Sequence, residues 1–204
     1  MAEAAAATQS TKSTQPKTVI RWGLFAFGPW RLCLAASERG LVYADRLGRP
    51  ADRPAAKEAK RSAGFSAGGE PGEPADLRDE SDLRDEAERD LASWAARWIP
   101  DARLERDEQA LQPYAAQYDE YFRGERAAFT FPLDLRGTPF QREVWRALAD
   151  IPFGETCAYS DIAERIGKPS AVRACGGAIG KNPVMIAVPC HRVIGKSGAL
   201  TGFG

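Results

Sequence analysis

The sequence predicts an α+β protein in two parts: a small antiparallel sheet with helices, then a helical region carrying a helix-turn-helix and a candidate reactive cysteine. Three observations predict this. Apolar and aromatic runs near the N-terminus are broken by short turn signals. A strong helix start stands at Thr138-Pro139-Phe140-Gln141. The run Val188-Pro189-Cys190-His191-Arg192-Val193-Ile194 sets a thiol beside the only histidine in 204 residues.

Taken in order, residues 1–17 are rich in Ala, Ser, Thr and Gln, with no apolar core of signal-peptide length, and are expected to be a disordered tail. Residues 19–27, 30–36 and 41–46 are apolar runs separated by Gly28-Pro29 and Ser37-Glu38-Arg39-Gly40, the pattern of a three-stranded antiparallel meander. From about residue 47 to 80 the composition turns to Ala, Gly, Pro and charge, which predicts a mobile surface insertion. The pentapeptide Asp-Leu-Arg-Asp-Glu occurs there at 76–80 and again at 82–86. The second copy leads into a helix, because Leu83, Ala87, Leu91, Trp94, Ala95 and Trp98 recur at helical spacing until Pro100. Residues 113–123 read as another short helix.

Residues 131–137 look like a linker, dividing the chain into 18–130 and 131–204. After it, Thr138 as cap, Pro139 in the first turn and Gln141 closing a capping box predict a helix over 139–150. Its core face would hold Phe140, Val144, Ala147, Leu148 and Ile151. Ser160 is placed to cap a helix over 161–166, Gly167-Lys168-Pro169 to turn, and Ser170 to cap a second helix over 171–180. Two short helices across such a turn suggest helix-turn-helix. Residues 184–188 read as a buried strand that Pro189 must end.

Composition narrows the function classes. Net charge is zero over the chain, yet residues 1–133 carry 19 basic and 22 acidic side chains, whereas 134–204 carry 9 and 6. The asymmetry is small, within what chance gives, and weakly favours the C-terminal part as the nucleic-acid side. Cys33, Cys157, Cys175 and Cys190 lack paired spacing, so a reducing compartment is expected rather than disulfides. With one histidine and no Cys-x-x-Cys, no metal site and no cofactor are expected. No segment could span a bilayer, and a soluble, cytoplasmic protein is expected.

Within the second helix, Ala171, Ala174, Cys175 and Ala178 form a small apolar face. Arg173, Gly176, Gly177 and Gly180 lie roughly opposite. Each helical glycine costs about 1 kcal/mol relative to alanine, and bare backbone admits close approach of another surface. A neighbouring helix is one candidate, but the arginine suits a phosphate backbone or a DNA groove better. Gly180-Lys181-Asn182 and Gly195-Lys196-Ser197 lack the upstream glycine of a phosphate loop. A free cysteine is most often a small buried hydrophobe. Against that, Cys190 has an adjacent imidazole, and Arg192 would favour a thiolate if the fold brings it near. Because side chains alternate along a strand, His191 can serve Cys190 only through a turn or a water. Tyr159 alone reads as a half-buried aromatic, and Asn182 as a cap before Pro183.

In combination, Leu133-Asp134-Leu135-Arg136-Gly137-Thr138-Pro139-Phe140-Gln141, Ile151-Pro152-Phe153-Gly154-Glu155-Thr156, Arg173-Ala174-Cys175-Gly176-Gly177-Ala178, Asn182-Pro183 and the Pro189-Cys190-His191-Arg192 run resemble the O6-alkylguanine-DNA alkyltransferases, also called methylated-DNA-protein-cysteine methyltransferases. The resemblance covers about residues 131–204. It implies a ribonuclease-H-like first domain, a winged-helix-like second domain, and single-turnover transfer of an alkyl group from O6-alkylguanine in double-stranded DNA to Cys190 after base flipping. The second helix would enter the minor groove, with Arg173 filling the space of the extruded base. Ala174, Gly176, Gly177, Gly180 and Lys181 would lie on the DNA. Tyr159 would aid rotation and donate a proton, His191 would take the thiol proton through a water, and Asn182 would support the turn. Pro189, Val193, Ser197, Gly198 and Phe203 would line the alkyl pocket. The protein would act as a monomer.

Members of the family continue past the loop matching 197–204 into a helix whose glutamate holds the histidine. The sequence stops at Gly204, and no residue here takes that role. A shortened chain or an incomplete gene reading is the simpler explanation. The alternative function is a non-enzymatic module that binds alkylated DNA without efficient transfer. A sequence-reading DNA regulator and a cysteine hydrolase are further alternatives.

Overall fold

In the computed structural model, residues 18–48 and 79–195 are described. The expected tail and nearly all of the expected insertion lie outside them. β1 (Val19–Phe27), β2 (Trp30–Ser37) and β3 (Gly40–Arg46) form the antiparallel meander. Sequence reading missed a fourth strand, β4 (Arg103–Arg106), which pairs parallel to β1 and gives the order β3-β2-β1-β4. Leu104 is its one strongly apolar residue, so alternation alone could not mark it.

Side-chain alternation divides β2 between two cores. Cys33 and Ala35 join Ile20, Trp22 and Val42 against Ala87 and Leu91 of α1 (Glu80–Trp98). Leu32, Leu34 and Ala36 face the other way, against Leu111, Ala115 and Tyr118 of α2 (Glu108–Phe122). That second core continues without a break into the C-terminal helices. α1 starts at Glu80 with Asp79 as its cap, ahead of the second pentapeptide copy. α2 starts five residues before the expected Pro113, because Asp107 accepts the Ala110 amide at 3.0 Å and caps an earlier turn.

α3 (Pro139–Ala149) has both halves of the expected capping box, Gln141 N to Thr138 Oγ1 at 3.2 Å and Thr138 N to Gln141 Oε1 at 2.9 Å. Val144, Ala147, Leu148 and Ile151 are buried as expected. Trp145 is buried too, and its indole donates to Ala178 O at 2.8 Å, which ties α3 to α5. Gly137 makes room for that indole: a Cβ there would stand 2.5 Å from the ring.

The helix-turn-helix consists of α4 (Tyr159–Arg165) and α5 (Val172–Ile179), joined through a 3-10 turn at Pro169–Ala171. Neither expected serine cap forms. Asp161 instead accepts the Ala158 amide at 2.8 Å, so the helix begins at Tyr159 with Ser160 inside it. Ser170 falls within the 3-10 turn. β5 (Cys157–Ala158) pairs parallel with β6 (Val193–Ile194), the segment just after the cysteine.

β3 is the edge strand on which the C-terminal part rests. Leu41 N donates to Pro132 O and Asp134 N to Leu41 O, both at 2.9 Å. Gly40 must be glycine here, with φ 137° and Pro132 O only 2.2 Å from where a Cβ would be. Three residues along, Ala44 N donates to Pro183 O and Met185 N to Ala44 O, again at 2.9 Å. The exposed edge thereby holds the linker at one point and the segment leading to Cys190 at the other.

Candidate active site

The expected strand over 184–188 does not form. Val184 and Val188 make only isolated bridges, and the chain between them doubles back. Asn182 causes the reversal by bonding both sides of it. Its Nδ2 donates to Val188 O at 2.7 Å, and its Oδ1 accepts from Val184 N at 3.0 Å. At the tip Ile186 has φ 70°, with Ala187 N donating to Met185 O at 2.9 Å. This is the rare γ-turn of left-handed backbone, in a β-branched residue that strongly disfavours it.

A second γ-turn follows directly. Pro189 has φ −82° and ψ 66°, and Cys190 N donates to Val188 O at 2.8 Å. Val188 O thus accepts from both Asn182 and Cys190. The cysteine opens a 3-10 turn, Cys190–Arg192, which supplies the turn that a strand would have denied to His191. Of the four cysteines, Cys190 alone is not buried. Pro189 and Val193 are buried on either side of the turn. His191 is exposed.

Burial pushes the Cys190 thiol above its ordinary range, with the Asp45 charge adding to it. The Asn182 amide and the backbone N–H groups of His191 and Cys190 oppose that rise. Partial desolvation of the ring, in a residue that is exposed as a whole, and then the Arg192 charge lower the His191 pKa. At neutral pH the pair is therefore a thiol beside an uncharged imidazole free to accept a proton. Arg192, which would favour a thiolate only if brought near it, is engaged elsewhere. Its guanidinium donates to Ile151 O at 2.7 Å and to the Tyr121 hydroxyl at 3.2 Å, and lies 5.5 Å from the Phe153 ring centre.

α5 presents Arg173, Ala174, Gly177, Gly180 and Lys181 to solvent. Ala174 departs from the expected packing face; Cys175, Ala178 and Ile179 are the residues α5 buries. Arg173 has no side-chain hydrogen bond or ion pair among the described residues. Gly176 is half-covered, because Tyr159 lies over it. A Cβ on Gly177 would meet nothing within 4 Å. Ser197, Gly198 and Phe203 lie outside the described residues. Among the described residues, no group of three or more His, Cys, Asp or Glu could hold a metal ion, and no helix is long and apolar enough to cross a membrane.

Sequence reading missed Tyr118, Ala44 and Asp45 as neighbours of the site. No local signal marks them, since they reach it from α2 and β3 across the shared core.

The family model described as 6-O-methylguanine DNA methyltransferase, DNA binding domain, matches residues 139–204. The model for the ribonuclease-like domain of the same methyltransferase matches 74–135. The inducible methylated-DNA--protein-cysteine methyltransferase of Bacillus subtilis is 38% identical over 187 residues, covering 92% of this chain and 84% of the relative. The Mycolicibacterium paratuberculosis methylated-DNA--protein-cysteine methyltransferase is 61% identical over 88 residues, 43% of this chain and 53% of the relative. Among solved structures, the Mycobacterium tuberculosis O6-methylguanine methyltransferase superposes with a TM-score of 0.59 at 32% identity, covering 91% of this chain and 84% of that one. The M. tuberculosis protein in complex with DNA gives 0.59 at 31% identity, over 90% and 84%.

Proposed function

The chain belongs to the 6-O-methylguanine DNA methyltransferase family, and we propose that it repairs DNA by direct reversal, moving the alkyl group of O6-alkylguanine onto Cys190. The observation that carries the reading is the doubled turn around Val188 O. It supports the reading because the partly buried Cys190 and the exposed His191 share one 3-10 turn, at the end of the segment that follows the helix-turn-helix.

The target base lies stacked in the duplex, so it must be extruded before its O6 substituent can reach a thiol. α5 would lie in the minor groove, where exposed Ala174, Gly177, Gly180 and Lys181 allow the backbone to come close. Arg173, without a partner among the described residues, would occupy the vacated stack. His191 would take the thiol proton, through a water. The Cys190 sulfur then attacks the alkyl carbon, an S–C bond forms, and the C–O6 bond breaks with its electron pair passing to guanine. Tyr159, at the first position of α4, would donate the proton that the departing guanine needs.

The product is guanine in intact DNA and a stable thioether, so each molecule would act once. We take the working form to be a cytoplasmic monomer with Pro189 and Val193 at the alkyl pocket. No cofactor is needed, because the thiol is both nucleophile and final acceptor. A binding-only module is not favoured, because the relatives are named for transfer to cysteine.

Incubation with duplex containing O6-methylguanine, followed by peptide mapping by mass spectrometry, tests the reading. One methyl group on the Cys190 peptide with guanine restored is the expected result. A methyl group found elsewhere, or lesion binding without any adduct, would overturn it.

A further inference from the structure

Resting on the reading of Cys190 as the alkyl acceptor, we infer that Tyr118 of α2 is a positioning residue for that thiol: its hydroxyl holds the strained turn at Ile186 that leads into the cysteine. The Tyr118 hydroxyl donates to Met185 O at 2.9 Å, the same carbonyl that accepts Ala187 N across the γ-turn. One buried hydroxyl therefore grips the carbonyl on which the γ-turn closes.

That turn needs an external hold. Ile186 at φ 70° is a β-branched residue in left-handed backbone, a conformation that persists only where the surroundings over-determine it. Besides Asn182, two holds among the described residues come from the N-terminal part. One is the β3 edge, where Met185 N donates to Ala44 O. The other is Tyr118, which is fully buried. Its ring is fixed among aromatics, with centroid distances of 4.9 Å to Phe129 and 6.0 Å to both Phe27 and Phe131. A phenol clamped this way offers its hydroxyl at one place, with little rotamer freedom left to lose.

The connection onward to sulfur is short. Outside the γ-turn, Val188 N donates to Val184 O at 3.0 Å across the base of the reversal, and Val188 O receives Asn182 Nδ2 and Cys190 N. If the turn at Ile186 relaxes, Val188 O moves, and the amide that orients Cys190 moves with it. Burial raises the Tyr118 pKa, which keeps the hydroxyl a donor across the working pH range. The N-terminal sheet and α2 would thus set the geometry of a thiol that belongs to a later part of the chain.

The test is Tyr118→Phe in the full chain, which removes the hydroxyl and keeps the ring packing. Five readouts follow, each corrected for folded fraction by thermal melting. Single-turnover methyl transfer from O6-methylguanine duplex should slow about tenfold, the scale of one lost positioning hydrogen bond. Transfer from a free O6-alkylguanine base should fall by the same factor, and affinity for unmodified duplex should stay within about twofold. The pH midpoint for iodoacetamide modification of Cys190 should move, and the amides of Ala187, Val188 and Cys190 should exchange faster while those in α5 do not.

Unchanged rates per folded molecule, or a loss confined to duplex substrate, would overturn the inference. So would unaltered exchange at those three amides. Should the unaltered protein fail to transfer at all, the proposed function falls, but iodoacetamide reactivity and amide exchange still decide whether Tyr118 positions Cys190.

Discussion

The ring of Tyr159 lies on the bare backbone of Gly176: a Cβ at Gly176 would stand 3.7 Å from both Cδ1 and Cε1 of the tyrosine. One glycine of the α5 pair therefore supports a proposed proton donor within the protein, while its neighbour Gly177 faces open space. Two adjacent glycines thus do different work, and substitution separates them.

Gly177→Ala should stabilise the free protein by about 0.5–1 kcal/mol, because alanine is the better helix former and the new methyl meets nothing. The same methyl would stand between α5 and the minor groove, so duplex affinity should fall. Thermal melting and fluorescence anisotropy with a labelled duplex read the two effects. A higher melting temperature with unchanged affinity would mean that this face does not approach DNA.

Asn182→Ala removes both bonds that close the turn, leaving Val184 N without its acceptor and Val188 O with Cys190 N alone. Leaving such part-buried groups short of partners costs about 1–3 kcal/mol. Because the Asn182 amide also lowers the Cys190 pKa, its loss should move thiol ionisation further up. Urea denaturation checks the first effect, and the pH profile of iodoacetamide modification the second. A profile unmoved from that of the unaltered protein would detach Asn182 from the thiol.

The turn that Asn182 builds is also where the sequence was hardest to read. α3 was legible to within a residue because Thr138, Pro139 and Gln141 are local signals acting within one turn. The second helix of the helix-turn-helix was legible as an element too, since the sequence places a helix over 171–180 and α5 spans Val172–Ile179. The apolar run 184–188 looked like a strand because composition is blind to a side chain reaching back from position 182. The start of α2 was missed for a related reason, as Pro113 is conspicuous and the Asp107 cap is not. Tyr118 had no local signal at all: a tyrosine in an amphipathic helix reads as core, and only the fold shows where its hydroxyl points.

The pH dependence follows from opposite shifts at adjacent residues. The folded pKa of His191 is lowered from 6.5, so as pH falls below 6.5 the unfolded chain binds the proton first and stability declines through the folded value. Cys190 is raised from 9.0, so its contribution is intact below 9.0 and is lost as pH climbs through the folded value. Urea midpoints should therefore drop on the acid side, and His191→Gln should flatten that limb. The alkyl-transfer rate should fall over the same acid range, since a protonated His191 cannot take the thiol proton. An acid limb of stability retained in His191→Gln would assign it to other groups.

Arg173→Ala separates extrusion of the base from the chemistry at sulfur. Arg173 is exposed and partnerless among the described residues, so its removal should leave stability within about 0.5 kcal/mol. If its side chain fills the space left by the base, the duplex without it would bear the unstacking penalty of a few kcal/mol unaided, and transfer from duplex should slow at least about tenfold. A free O6-alkylguanine base needs no extrusion, so its reaction with Cys190 should be nearly unchanged. Tyr159→Phe should behave differently: loss of the donor slows transfer from both substrates while binding holds. Measured side by side in single-turnover assays, the two variants distinguish flipping from proton donation. Equal losses on both substrates for Arg173→Ala would place the arginine in the chemistry or in folding and remove it from the flipping step.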